Sequence, residues 1–321
     1  MIRAIRMFDD MSLQVSTVVH RAYNLSRRIL DRIYYQSCFR VATKKRGRSA
    51  SALVIPQQIP PMYTIWKICM LLGLRITTKK QEPCEISIFW EDTTNSKPPI
   101  DIPGLLNAKC TDIGKNIVEE RFAEIFGYPL AINPAIYKGP YVTKARLNFA
   151  HNGRVLSGTI NEPDKNAVYQ KLVDNRIDEG WQVIDIRTAI VGKQIPIVFV
   201  LYRSITDRFG TDSSSCELIS PEEIFNPTEI SLILTMAKAM GLDFGELDIL
   251  RDAVDGRIYV VDVNKTPVGP PRTLTLSARH HAMRLVANAF AEEFLNISAN
   301  RLEASKNHTT NANANVGDRR S

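Results

Sequence analysis

One stretch, GLDFGELDILRDAVDGRIYVVDVNKTPVGPP from Gly241 to Pro271, limits the fold more than any other. ELDIL reads as a short apolar strand carrying Asp248 in its interior. Asp255-Gly256 is a turn pair that closes hairpins, and RIYVVDV is a second strand of β-branched and aromatic residues. Closing the chain at Asp255-Gly256 sets Asp248 roughly opposite Asp262 and Asn264. Asp262 and Asn264 are two apart, so alternation points them to one face. Three oxygen-bearing side chains then converge at one end of a two-stranded platform. Hard oxygen donors of this kind suit Mg²⁺, which keeps waters and bridges to phosphates. The plain alternative is an ordinary hairpin with solvated acids. A carboxylate in mid-strand and the D-x-N pair followed by Thr266-Pro267 favour the metal.

The rest of the chain supplies a frame for such a hairpin. With 321 residues, 44% hydrophobic and 23% charged, it has the composition of a globular protein with a sizeable core. The net charge of +7 is uneven: residues 1–50 hold eleven Lys/Arg against three Asp, a net +8, which leaves the remainder close to neutral. Five scattered cysteines without a C-x-x-C pair argue for reduced thiols and against a zinc site, and so for a cytoplasmic setting. The first twenty residues lack the continuous apolar core of a secretory signal, and the run near Tyr63 to Leu74 is too short to span a bilayer.

Periodicity predicts a basic amphipathic helix over Ser12 to Tyr35, which could sit on an anionic membrane surface or an acidic partner, or pack on its own domain. A cytoplasmic protein peripheral to the membrane is one outcome of that reading. Charge alone allows nucleic acid, but no aromatic-interleaved basic surface accompanies it. Residues 41–61 read as a flexible basic linker. A helix over Met62 to Leu74 and a strand over Glu85 to Trp90 make a single helix–strand unit. Lys115 to Phe126 is a helix stopped at Gly127. From Tyr141 onward YVTKA, RVLSGTI, AVYQKLV, WQVIDIRTAIVG and IPIVFVLYR predict an antiparallel sheet with one covered face. A helix within Pro221 to Met240, with caps near Thr228 and Gly241, precedes the hairpin. A second helix, Thr275 to Leu295, follows it. From Asn300 the polar tail is expected to lack fixed structure. The domain expectation is a basic arm over 1–50, a small helix–strand segment over 51–106, a main body over 107–299 and a tail over 300–321.

The hairpin, with Asp248 on one strand and Asp262-Val263-Asn264 before Lys265-Thr266-Pro267 on the next, resembles the metal hairpin of the ATP-grasp superfamily. The resemblance extends over about Asn107 to Leu295. It implies an α+β fold in which two lobes clamp Mg-ATP, with a clamp lobe over about 140–175 and a metal-bearing lobe over 176–299. The segment before them would be a reduced form of the small α/β domain that often precedes such a body. It also implies that Lys115 and Lys144 grip the phosphates, and that the strand Gln170, Lys171, Leu172, Val173 meets adenine with Asp174 at the ribose. Mg²⁺ would be held by Asp248, Asp262 and Asn264. Arg203 and Arg208 would neutralise charge on the transferring phosphoryl group, or would be ion-pair partners of Asp207 and Asp212. Asp185-Ile186-Arg187 is similar to a D-x-R element of the same family.

Three positions depart from the pattern. Asp262 stands where Glu is usual. RLNFAHNGRVLSG holds only Gly153 and Gly158 where a glycine-rich loop is usual. Glu246 stands where many ligases place an arginine. The implied activity is ATP-dependent carboxylate–amine or carboxylate–thiol ligation through an acyl phosphate, on a small-molecule or peptide carboxylate. Two alternatives stay open: a kinase-type phosphotransferase, and a non-catalytic nucleotide-binding protein recruited by residues 1–50. A homodimer is a further option that the sequence leaves open.

Overall fold

The computed structural model describes residues 25–99, 101–147, 152–210 and 213–296. The first half of the expected Ser12–Tyr35 helix, Asp212 and the tail from Asn300 lie outside the described residues.

The chain is helical over 25–46 (α1), past Tyr35 and through the basic run that reads as linker. It then enters β1 (Ala50–Pro56), α2 (Thr64–Leu71), β2 (Leu74–Thr77), β3 (Ile86–Trp90) and β4 (Leu105–Leu106). These strands form an all-parallel sheet in the order β2-β1-β3-β4. The expectation of a flexible linker over 41–61 and a lone helix–strand unit is therefore corrected. ASALVIP is a central strand with both neighbours parallel, and Ala50 to Ile55 are all buried. A strand buried on both faces shows no alternation, so this one escapes a period-2 search.

After α3 (Lys115–Phe126) comes a small antiparallel sheet of β5 (Tyr141–Ala145), β6 (Arg154–Leu156) and β7 (Ala167–Lys171), ordered β6-β5-β7. The larger sheet follows, built from β8 (Arg176–Ile177), β9 (Gln182–Val191), β10 (Val198–Ser204), β11 (Ser215–Ile219), β12 (Phe244–Arg251) and β13 (Ile258–Asn264). Its order is β11-β10-β9-β12-β13, with β8 on β9. The overall class is α+β, as expected.

Helix α4 (Pro227–Ala239) starts at Asn226 rather than near Thr228. The Asn226 side chain accepts from the Glu229 amide, Glu229 reaches back to the Asn226 amide, and Pro227 fills the first turn. Helix α5 (Leu276–Leu295) is capped by Thr275.

Two clusters form most of the core. One joins the parallel sheet, α2 and α5 to Ala189, Val191, Phe199 and Phe244 on one face of the large sheet. The other joins α3 and α4 to the opposite face through Ile186, Ile190, Leu247, Ile249 and Val263. Burying apolar area on both sides of β9 and β12 makes these strands the rigid centre of the molecule.

Candidate active site

The face of the large sheet that meets α5 is apolar only along half its length. Along the other half, side chains in register across three strands are polar. Asp248 on β12 lies directly opposite Asp262 on β13 and opposite Arg187 on β9. The neighbouring rung is Ala189, Glu246 and Asn264. Asp248, Asp262 and Asn264 thus share one face of one hairpin. The hairpin is embedded in a six-stranded sheet rather than standing as a two-stranded ribbon. Its turn is wider than a two-residue loop: the Asp252 amide donates to Arg257 O, and Gly256 (φ 70°) donates to Asp252 O. A register shift just after Asp248 leaves Val261 as the extra residue, so the acid pair sits beside a bulge.

Two carboxylates facing each other across strands repel unless cations intervene. Arg187 Nε donates to Asp248 Oδ1 at 3.1 Å and lies 3.7 Å from Glu246 Oε2. The Asp248 charge in turn holds the guanidinium well above its usual range. Lys115, in the first turn of α3 and 9% exposed, places Nζ 3.7 Å from Asp262 Oδ2 and donates to Leu147 O. Burial raises the Asp262 carboxyl above the usual range, and Lys115 offsets part of that rise. Asn264 Oδ1 accepts from the Thr266 amide at 2.9 Å, which fixes the direction of its carbonyl oxygen.

The small sheet supplies the opposite wall. Lys144 on β5 shares a face with Val142, whose partner across β7 is Gln170. Gln170 Nε2 donates to Glu119 Oε1 at 2.8 Å, one helical turn along α3 from Lys115. Burial lowers Lys144 to about 8; the Lys115 charge adds to the fall, while Asp262, Glu119 and Asp248 pull it back up. Burial likewise raises Glu119 to about 7, against the Gln170 hydrogen bond and the nearby lysines. The Phe209 ring bridges the two walls, 6.0 Å from Lys144 Nζ and 5.5 Å from the Arg208 guanidinium carbon. It packs so close to Gly153 that a Cβ there would overlap the ring at 2.6 Å.

The remaining expected residues sit elsewhere. Arg203 is buried on the same sheet face in an ion pair with Asp185. Arg208 donates to Asn175 Oδ1 and Val173 O. Lys171 turns to the hairpin tip, bonding Asp252 at 2.7 Å, Asp255 at 3.2 Å and the Tyr259 hydroxyl at 3.1 Å. Burial pulls its pKa down, and those three partners outweigh it and raise it. Asp174 is held by Arg176 at 2.7 Å. Gln170 pairs on its free side with Ala131, and Lys171 N donates to Leu130 O.

The N-terminal sheet contributes to the rim. Asp92, just past the carboxyl end of β3, accepts from Thr266 Oγ1 and from the Tyr63 hydroxyl, each at 2.9 Å. Lys265 Nζ donates to Ser96 Oγ. Sequence reasoning missed Glu119, whose signal was an acid at the i+4 position from Lys115 on a helix face that also carries Val118 and Phe122. It also missed Asn107, which nothing local marks.

The donor set fits a magnesium nucleotide. Asp248, Asp262 and Asn264 offer hard oxygens on one face, Arg187 and Lys115 hold the two like charges together, and the charges of Lys115 and Lys144 oppose each other across the same gap. Among the described residues no group of three His, Cys, Asp or Glu could hold a metal by itself.

No family model matches the chain, and no curated protein does. Among solved structures it is similar to the ATP-grasp ligase PsnB complexed with a minimal precursor, at 15% identity and a TM-score of 0.37, over 56% of this chain and 60% of that one. It is similar to D-alanine–D-alanine ligase from Bacillus anthracis at 13% identity and a TM-score of 0.47, over 81% and 99%. It is also similar to the macrocyclase MdnC bound with precursor peptide MdnA, from Microcystis aeruginosa MRC, at 15% identity and a TM-score of 0.41, over 77% and 100%. The chain spans about 60% of the length of the PsnB chain it matches.

Proposed function

We propose that the chain is an ATP- and Mg²⁺-dependent ligase of the ATP-grasp type, joining a carboxylate to an amine or a thiol. The observation that carries this reading is the rung Arg187–Asp248–Asp262 across the sheet, with Lys115 and Lys144 facing it from α3 and the small sheet.

In this reading Asp248, Asp262 and Asn264 hold the metal, while Lys115 and Lys144 bind phosphate oxygens. ATP would supply its γ-phosphoryl group to a substrate carboxylate, leaving ADP, and the amine or thiol would then displace inorganic phosphate from the acyl phosphate, losing its proton. The chain's own work is positioning and charge neutralisation. Arg187, already against Asp248 and Glu246, supplies the guanidinium nearest the reacting end. Arg203 and Arg208, tied to Asp185 and Asn175, brace the floor behind it. Adenine is placed at the Val173 end of the Gln170–Val173 stretch, since Lys171 N already donates to Leu130 O and Leu172 N to Pro140 O, and the side chains of Lys171 and Asp174 have other partners.

A phosphotransferase acting on a hydroxyl keeps the same site. Glu246 favours it: a buried acid beside Asp248 opposes a second carboxylate or an acyl phosphate in that corner. Hydroxylamine separates the two. A ligase supplied with its carboxylate substrate yields a hydroxamate, and a kinase yields none.

The site itself is tested by thermal shift with Mg-ATP. Wild type should gain about 5 °C at roughly a hundredfold excess over Kd. Asp262→Ala and Lys144→Ala should lose most of that gain. Equal shifts in all three proteins would remove the nucleotide from this cleft.

A further inference from the structure

Among the described residues, helix α1 meets the body with one side. Asp31 accepts from Arg279 Nη2 and pairs with His280 Nε2, each at 2.9 Å. The Tyr34 ring stacks on His280 with centroids 3.6 Å apart, and Arg284 donates to the Tyr34 hydroxyl. Tyr35 is fully buried beside Trp66. These contacts fix the helix on α5 in a single rotation.

The opposite side is apolar and open. Leu25, Ile29 and Ile33 follow one another at four-residue spacing, with Leu30 and Val41 alongside, and each is more than half exposed. The only acid between residues 25 and 46 is Asp31, which faces inward, against seven Lys/Arg. Of these, Arg28 and Arg32 flank the stripe, and Arg40, Lys44 and Lys45 continue along it, all exposed. Among the described residues no helix is long and apolar enough to cross a membrane.

We propose that this face of α1 is a docking surface for an anionic lipid bilayer, lying in the interface with Leu25, Ile29 and Ile33 among the acyl chains and the arginines at the headgroups. Charge complementarity selects this occupant. An apolar stripe edged by cations and free of exposed acids matches a surface of negative charge over a hydrocarbon layer. A second copy of the same helix would bring like charges together.

The full chain is tested by flotation with vesicles of pure phosphatidylcholine and of phosphatidylcholine with 30% phosphatidylserine, the lipid fraction being about that of a strongly anionic leaflet. Wild type should float with the anionic vesicles at least tenfold more than with the neutral ones, less so at high salt. Two double variants change only exposed side chains: Ile29→Ser with Ile33→Ser, and Arg28→Glu with Arg32→Glu. Each should reduce flotation tenfold or more, with unchanged circular dichroism and melting temperature. No flotation of the wild type overturns the proposal, as does equal flotation of wild type and both variants. A concentration-dependent dimer in sedimentation that Ile29→Ser with Ile33→Ser dissolves, without vesicle binding, overturns it in favour of a second copy.

Discussion

Glu119 and Lys144 are ionisable groups held where their charged forms are poorly solvated, and groups perturbed in this way cluster at functional sites. The linkage is direct for Glu119. Its carboxyl titrates at about 7 in the folded protein, above the ordinary glutamate value of 4.5, so the folded state binds the extra proton. Stability from this group is therefore full below pH 4.5 and declines as pH rises through 7. Lys144 acts at the other end: lowered to about 8, it costs stability below that pH and recovers as pH rises from 8 towards 10.5. Glu119→Gln keeps an oxygen to accept from Gln170 and removes the charge. Denaturant titrations of the variant should lose a pH-dependent fall on the order of 2 kcal/mol between pH 4.5 and 7. A variant that falls as steeply as wild type would place the titration on another group.

The element that decides the site is the β12–β13 hairpin, and its placement depends on a residue remote in sequence. Asn107, buried at a φ of 60°, accepts with Oδ1 from the Asp243 and Phe244 amides and donates with Nδ2 to Phe244 O. Its own amide donates to Asp243 Oδ2 at 2.6 Å. This clamp holds the first residues of β12 and thereby the register that sets Asp248 against Arg187. Asn107→Ala leaves buried amides unpaired and loses the residue type that tolerates a left-handed backbone. Chemical denaturation should show a loss of about 2–4 kcal/mol. Nucleotide affinity should fall with it, because the acids no longer share a rung. A stable variant with unchanged affinity would mean that β12 is held by the sheet alone. At the same scale, Gly245 lets the Asn264 carbonyl approach β12 more closely than any side chain would permit.

Across the whole molecule, the two large apolar clusters contain the parallel sheet, the large sheet and α2 to α5, but nothing from β5, β6 or β7. The small sheet is tied to the rest by polar contacts such as Gln170–Glu119 and Lys171–Asp252 and by Phe209 against Gly153. Of its apolar strand side chains only Tyr141, Val142 and Val168 are buried, outside both large clusters, and a strand set so little joined to the main core has a low local opening energy. Hydrogen exchange should therefore be fastest, among the strands, over residues 141–171. Mg-ATP should slow it there more than in β9 or β12. Slow exchange in the small sheet without ligand would show that it does not move as a clamp. The ligase reading asks for such a movement, since the lysine of β5 must close on phosphates held by the acids of the large sheet.

Much of this was legible from local pattern. Alternation placed Asp262 and Asn264 on one face, and the mid-strand acid marked Asp248. The run PTEISLILTMAKAM announced α4, and the expected Thr275–Leu295 helix runs from Leu276 to Leu295 with Thr275 as its cap. These are short-range consequences of side-chain period and capping, which each segment carries alone. Long-range pairing was not legible. No local signal says that ASALVIP lies between two parallel strands, that Arg187 completes the acid rung, that Arg203 is taken by Asp185, or that Lys171 turns to the hairpin tip. Each of those outcomes depends on which strands become neighbours and in what register. That is set by burying both faces of β9 and β12 at once, a free energy belonging to the assembled sheets and to no segment within them.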